Sequence, residues 1–178
     1  MNKKEIIFWR NKYNKEEDLY NKGLEEELRK KFQKNNQITK SDLAEIIKWK
    51  FQGRLKGRQK RILNLLAPVE DSFIREKSSL AFKIRNDKER LNLLSSIRGV
   101  GNTLSSVILT FYNPNNYGVL DIHAWRALFG KEPQDLFSNH KDAVKFFNKL
   151  REISSNTALP CRDIEKALFK KDLEKTKK

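Results

Sequence analysis

The 178-residue chain contains one cysteine, two histidines, four prolines and seven glycines, and its acids are outnumbered by its bases. Each shortage excludes something. A lone thiol, Cys161, makes no internal disulfide, no zinc site of the cysteine type and no four-cysteine iron–sulfur cluster. With only His123 and His140 to add, an all-protein metal site is not expected, and Cys161 reads as a small buried residue. No apolar run approaches the roughly 18 residues of a membrane span. The opening MNKKEIIFWRNKY is basic, but its apolar core is too short for a signal peptide. An intracellular protein, cytoplasmic or nucleoid-associated, is therefore expected. The scarcity of proline and glycine, and the lack of any convincing alternation of β-branched residues, predict an all-α fold.

What is abundant is positive charge. Lys and Arg number 38 against 23 Asp and Glu, a formal net charge of +15. An excess this large on a small chain points to a polyanionic partner, nucleic acid before an anionic membrane surface. The length suits one domain, or one domain of two lobes, with a real core, and a monomer is assumed.

Helices are predicted in order. Residues 3–13 carry Ile6, Ile7, Trp9 and Tyr13 roughly on one side, with Trp9 read as core rather than as a base-stacking group. A second helix spans 16–33, with Leu19, Leu24, Leu28 and Phe32 on its apolar face. Thr39 or Ser41 caps a third, whose face is Leu43, Ile46, Ile47 and Phe51 and which ends near Gly53. Then come Arg54, Lys56, Arg58, Lys60 and Arg61, spaced by Gly53 and Gly57 and preceded by Trp49-Lys50-Phe51. Cations among aromatics and glycines suit phosphate contact, with Lys50, Arg54, Lys56 and Arg58 as candidate DNA ligands; the other reading is a solvated basic face. Further on, 62–66 looks helical, and Pro68 opens a helix carrying Val69, Phe73 and Leu80. Asn86 caps the helix that follows, 130–133 breaks the chain, 143–150 and 164–168 form two more amphipathic helices, and the terminal KKDLEKTKK is expected to fray.

The stretch Leu91 to Leu128 organises the rest. An apolar helical pattern at Leu91, Leu94 and Ile97 runs into Gly99-Val100-Gly101, and a second pattern follows at Leu104, Val107, Ile108 and Phe111. Two glycines one residue apart allow a sharp turn and a close backbone approach, and the amides opening the second helix can face a phosphate. Alone, this reads equally as an ordinary helix corner. It continues, however, into Tyr117-Gly118-Val119-Leu120-Asp121-Ile122-His123-Ala124-Trp125-Arg126.

With L-x-G-V-G-like and D-x-H-x-W/R elements together, the chain resembles the helix-hairpin-helix (HhH-GPD) DNA glycosylases, the superfamily of endonuclease III and the 8-oxoguanine glycosylases. The resemblance is specific over about forty residues. It implies two helical lobes in one domain spanning 1–178: a central lobe of about 15–115 with the hairpin at 91–112, and a second lobe from about 1–14 and 116–178, with a catalytic aspartate in the cleft between them. On that resemblance Asp121 is the catalytic carboxylate. Arg98, Gly99, Val100, Gly101 and Thr103 form the hairpin's DNA contact, and His123 and Arg126 lie near the phosphates, Arg126 suiting an acidic partner equally well. A hairpin-held monovalent cation is also implied; no cofactor is required, and the iron–sulfur cluster of several members has no cysteines to hold it here. The chain departs from the pattern at Arg98, where the family commonly has proline.

A glycosylase breaks the bond between base and sugar while positive charge develops on the sugar, and a fixed carboxylate stabilises that charge and orients water. Asp121 also reads as a helix N-cap, a role compatible with catalysis. Members that cut the strand use a lysine two residues after the hairpin's second glycine; this chain has Thr103 there, 18 residues before Asp121, in the family's register. A hydroxyl forms no imine, so the expectation is a monofunctional base-excision glycosylase without lysine-type lyase activity, acting on double-stranded DNA with an extruded base. The alternatives are a non-catalytic helix-hairpin-helix DNA-binding protein and a basic scaffold for RNA or a protein partner.

Overall fold

The computed structural model describes all residues except Asp18, Leu136, Lys177 and Lys178, and it does not describe the side chains of Leu19, Tyr20 and Arg54. The readings made above for the side chains of Leu19 and Arg54 thus lie outside the described residues. Among the described residues the regular structure is entirely helical, as the composition predicts.

Helix α7, Asn102–Tyr112, is the axis of the molecule. Its sequence NTLSSVILTFY carries no charge and combines apolar residues with small hydroxyls, and every residue from Leu104 to Phe111 is buried. A helix buried on all sides has to be enclosed by others, and α2 (Leu19–Asn35), α3 (Lys40–Lys50), α6 (Asp87–Ser95) and α9 (His140–Thr157) all pack against it. Leu24, Leu28 and Phe32 of α2 and Leu43, Ile46 and Ile47 of α3 are buried as their spacing predicts, and Cys161 and Trp125 are core residues. Thr39 caps α3 in a capping box with Asp42, and Asn86 caps α6.

On one side of this group α1, Lys3–Glu16, lies along α10, Cys161–Thr176, and α10 packs on α8, Ile122–Phe129. The first two amides of α10 donate to the carbonyls of Asn115 and Pro114 in the loop after α7. This satisfies donors that every helix start leaves free and anchors α10 to the α7 side of the molecule.

Four readings need correction. The first helix extends to Glu16, and the second begins at Leu19 rather than at 16. The helix after Pro68, α5, spans Asp71–Lys83, leaving Val69 in the turn before it, and Leu80 is 41% exposed. Its buried face is Ile74, Ala81 and Phe82 instead. The terminal segment does not fray where expected: α10 runs to Thr176, and Lys170 is buried and paired with Glu16 (2.5 Å) and Glu174 (2.7 Å).

Candidate active site

The Gly99-Val100-Gly101 turn joins α6 to α7 at close quarters. The Val100 amide donates to the Ile97 carbonyl at 2.9 Å, and Gly99 takes φ +91°, the left-handed region that disfavours side chains. A Cβ at Gly99 would lie 3.3 Å from the Ile62 carbonyl oxygen and 3.3 Å from Leu65 Cβ. Both contacts belong to α4, Lys56–Leu66. The turn is therefore seated on the helix whose start carries Lys56, Arg58, Lys60 and Arg61, all exposed. The N-cap of α7 is Gly101, which offers no side-chain cap, and Arg98 and Gly101 are exposed. The helix start keeps free amide donors together with a favourable dipole.

The segment after α7 turns at 114–116, where the Asn116 and Tyr117 amides donate to the Asn113 carbonyl, and Tyr117, Gly118, Val119 and Leu120 are all buried. Gly118 is required by packing alone, because a Cβ there would meet Leu150 Cδ1 at 2.6 Å and Glu165 Cβ at 2.7 Å. The Leu120 amide donates to Ser106 Oγ of α7 at 2.8 Å, and the Val119 amide donates to Glu165 Oε2 of α10 at 3.3 Å. Held from both sides, the segment delivers Asp121 to the start of α8.

Asp121 is the N-cap of α8. Its Oδ1 accepts the His123 amide at 3.0 Å, and Oδ2 accepts from Lys50 Nζ at 2.8 Å, a residue 71 positions earlier at the end of α3. Burial alone would push this carboxyl up, but the Lys50 charge and hydrogen bond and the His123 amide outweigh it and hold Asp121 below the usual carboxylate range. Asp121, Lys50, Thr103, His123, Arg126 and Arg58 all line one cleft of about 900 Å³, walled by α1, α3, α8 and α10. That volume lies in the range of ordinary ligand sites, roughly 300–1,000 Å³.

Beside it sits a second cluster. Asp172 of α10 accepts from Arg126 Nη2 (2.7 Å) and Nε (3.1 Å), and its Oδ2 is 2.8 Å from His123 Nδ1. Arg126 Nη2 also lies 3.1 Å from Nδ1. One ring nitrogen cannot both donate and accept, and the shorter carboxylate contact assigns Nδ1–H as donor to Asp172. Burial raises the Asp172 carboxyl, but the hydrogen bonds from Arg126 and His123 bring it below the usual range.

Under the cleft floor Arg162 is 4% exposed and grips Glu25 through Nε (3.0 Å) and Nη2 (2.8 Å). Its Nη1 donates to Glu165, and its face lies over Tyr13 and Trp49. Burial raises the Glu165 carboxyl despite Arg162.

Of the predicted site residues the structure thus brings together Asp121, Lys50, Thr103, His123, Arg126 and Arg58. Lys56 lies outside this group on the exposed start of α4, and Arg98 on the exposed turn. Lys50 differs most from expectation: a candidate DNA ligand by sequence, it is instead the partner of Asp121. Arg126 takes the acidic partner. Asp172, Glu165 and Arg162 were not singled out from sequence, yet a signal existed, because Cys161, Ile164, Glu165 and Leu168 share one helical stripe and Glu165 is a carboxylate inside it.

Comparison with family models, curated proteins and solved structures finds no match to this chain. Among the described residues no helix is long and apolar enough to cross a membrane, and no group of three or more His, Cys, Asp or Glu is arranged to hold a metal.

Proposed function

We propose that this protein is a base-excision DNA glycosylase that releases a damaged or mismatched base from double-stranded DNA, with Asp121 as its carboxylate. The observation that carries the reading is the shared cleft, in which an ionised Asp121 at a helix start faces the same space as Thr103 on the first turn of an uncapped helix. Phosphates of the strand would dock on the free amides of α7 and on the exposed bases of α4, and an extruded nucleotide would enter the cleft. As the sugar–base bond breaks, Asp121 stabilises the positive charge on the sugar and orients the attacking water. Thr103 holds the position of the hairpin lysine, so the hairpin supplies no amine and water is the nucleophile for base release.

His123 and Arg126, tied together by Asp172, would hold the strand's phosphates beside the cleft. The hairpin cation of the resembling family would rest on turn carbonyls, of which that of Ile97 already accepts the Val100 amide. No further cofactor is required by the reading. The protein acts as a monomer in the cytoplasm or on the nucleoid.

The test is a panel of labelled duplexes, each with one lesion or mismatch, treated with alkali after incubation. Asp121→Asn should slow alkali-revealed base release at one lesion by about a hundredfold or more. A panel that is bound but never cleaved favours a non-catalytic helix-hairpin-helix DNA-binding protein. One observation supports that alternative: both oxygens of Asp121 are already engaged, by an amide and by Lys50.

A further inference from the structure

The amine missing from the hairpin is present in the cleft, supplied by another helix. Lys50 ends α3 with its Nζ 2.8 Å from Asp121 Oδ2, and its side chain is 13% exposed against 21% for Asp121. We propose that Lys50 is an imine-forming amine: once base release leaves an aldehyde at sugar C1′, Lys50 Nζ condenses with it and the strand is cut by β-elimination. This rests on the base-excision reading for the origin of the aldehyde, and it replaces the expectation of no lyase activity that follows from Thr103.

Three observations single out Lys50. The other cations lining the cleft are Arg58, Arg126, Arg162 and Lys170. A guanidinium does not give up its proton and is no amine nucleophile. Lys170, the second lysine, is 2% exposed and is held between Glu16 and Glu174. Lys50 alone among them combines an amine, a face open to the cleft and contact with the carboxylate that the reaction is proposed to use.

That contact also provides the proton path. An ammonium has no lone pair, and Asp121 Oδ2 already accepts one of its protons. Duplex seated over the cleft would exclude water from the pair, and loss of water favours the neutral acid and amine over the two ions. The neutral Nζ then adds to C1′. The carbonyl oxygen departs as water, taking one proton from Nζ and one from the Asp121 carboxyl, which leaves a protonated imine facing a carboxylate. Asp121 removes a proton from C2′, a C2′–C3′ double bond forms, and the C3′–O bond breaks with the electron pair leaving on the phosphate. Water adds to C1′ and frees Lys50 as the ammonium together with an unsaturated aldehyde, the proton taken from C2′ passes from Asp121 to the departed phosphate or to solvent, and the ion pair re-forms. No oxidant or reductant takes part.

The full-length chain is incubated with a duplex made abasic beforehand, in the presence of sodium borohydride, which reduces an imine to a stable amine. The expected result is a covalent protein–DNA adduct whose tandem mass spectrum places the link on Lys50, and whose formation is lost in Lys50→Arg. Arginine keeps a cation against Asp121 but offers no such amine. No adduct, or an adduct on another lysine or the N-terminus, overturns the proposal. If Lys50→Arg does not fold, as judged by helical circular dichroism, the mapped site on the wild-type chain decides the matter. The substrate is already abasic, so the two readings fail separately. A Lys50 adduct with no base released anywhere on the lesion panel sinks base excision and leaves the amine chemistry standing; base release with no adduct does the reverse.

Discussion

Arg162→Met removes a guanidinium that two buried carboxylates share. In the folded protein Arg162 forms a two-pronged contact with Glu25 at 3.0 and 2.8 Å and a third contact with Glu165, while Tyr13 and Trp49 cover it. Methionine fills much of the same volume but leaves both carboxylates without that partner. Glu25 retains Lys166 at 3.7 Å, whereas Glu165, with a side chain 3% exposed, retains the Val119 amide and the more distant charge of Lys50. Removing one member of a buried ion pair costs about 3–5 kcal/mol. Because Lys166 remains and Glu165 can take up a proton, the lower end, about 3 kcal/mol, is expected. Against a total stability of about 5–15 kcal/mol this is a large fraction, and it corresponds to a Tm about 6–12 °C lower for a chain of this size. Urea unfolding at neutral pH, followed by circular dichroism, measures it, and Arg162→Met/Glu165→Gln should recover part of the loss because the stranded carboxylate is then neutral. A loss under about 1 kcal/mol, or a double variant no more stable than the single one, refutes the argument.

Gly118→Ala should cost about 1–3 kcal/mol by overpacking and should also slow base release, because the displaced segment carries the amides that aim Asp121. A thermal melt and the lesion assay read the two effects, and an unchanged Tm would show that Leu150 and Glu165 yield without cost. Acid should destabilise the protein through Glu25, whose carboxyl burial raises but whose Arg162 and Lys166 neighbours bring down to about 2 from an ordinary 4.5. The folded value lies below the unfolded one, so the unfolded chain takes up the proton first as pH falls. The stabilisation is complete above about 4.5 and disappears between there and about 2. Its size is about 3 kcal/mol, and Glu25→Gln should remove this portion of the pH dependence in acid titrations of unfolding. A variant with the wild-type slope would place the acid sensitivity elsewhere.

The parts of the fold that were legible in the sequence are those that depend on neighbours in the chain. The caps at Thr39, Asn86 and Asp121, the buried spacing of α2 and α3, and the buried face of α7 at Leu104, Val107, Ile108 and Phe111 all follow from local pattern. What was not legible depends on which charges meet. The ending KKDLEKTKK reads as solvated because lysine is ordinarily exposed, yet Lys170 is buried between Glu16 of α1 and Glu174 one turn on. Nothing in the spacing of either segment announces that α1 and α10 lie side by side.

Lys50 shows the same limit at the site itself. In sequence it sits among Trp49, Phe51 and a run of bases, and a cation in such company suits a phosphate. In the fold it reaches a carboxylate 71 residues distant. An ion pair of this kind, partly desolvated, adds little to stability when both charges are weighed against their hydration. The imine chemistry proposed for Lys50 needs a carboxylate and an amine able to exchange a proton within one hydrogen bond, and this pair supplies both. A Lys50→Arg variant, which keeps a cation against Asp121 and folds with wild-type stability but forms no borohydride-trapped adduct, would separate the two roles. One that still forms the adduct, now mapped to another amine, would return Lys50 to the structural side of the account.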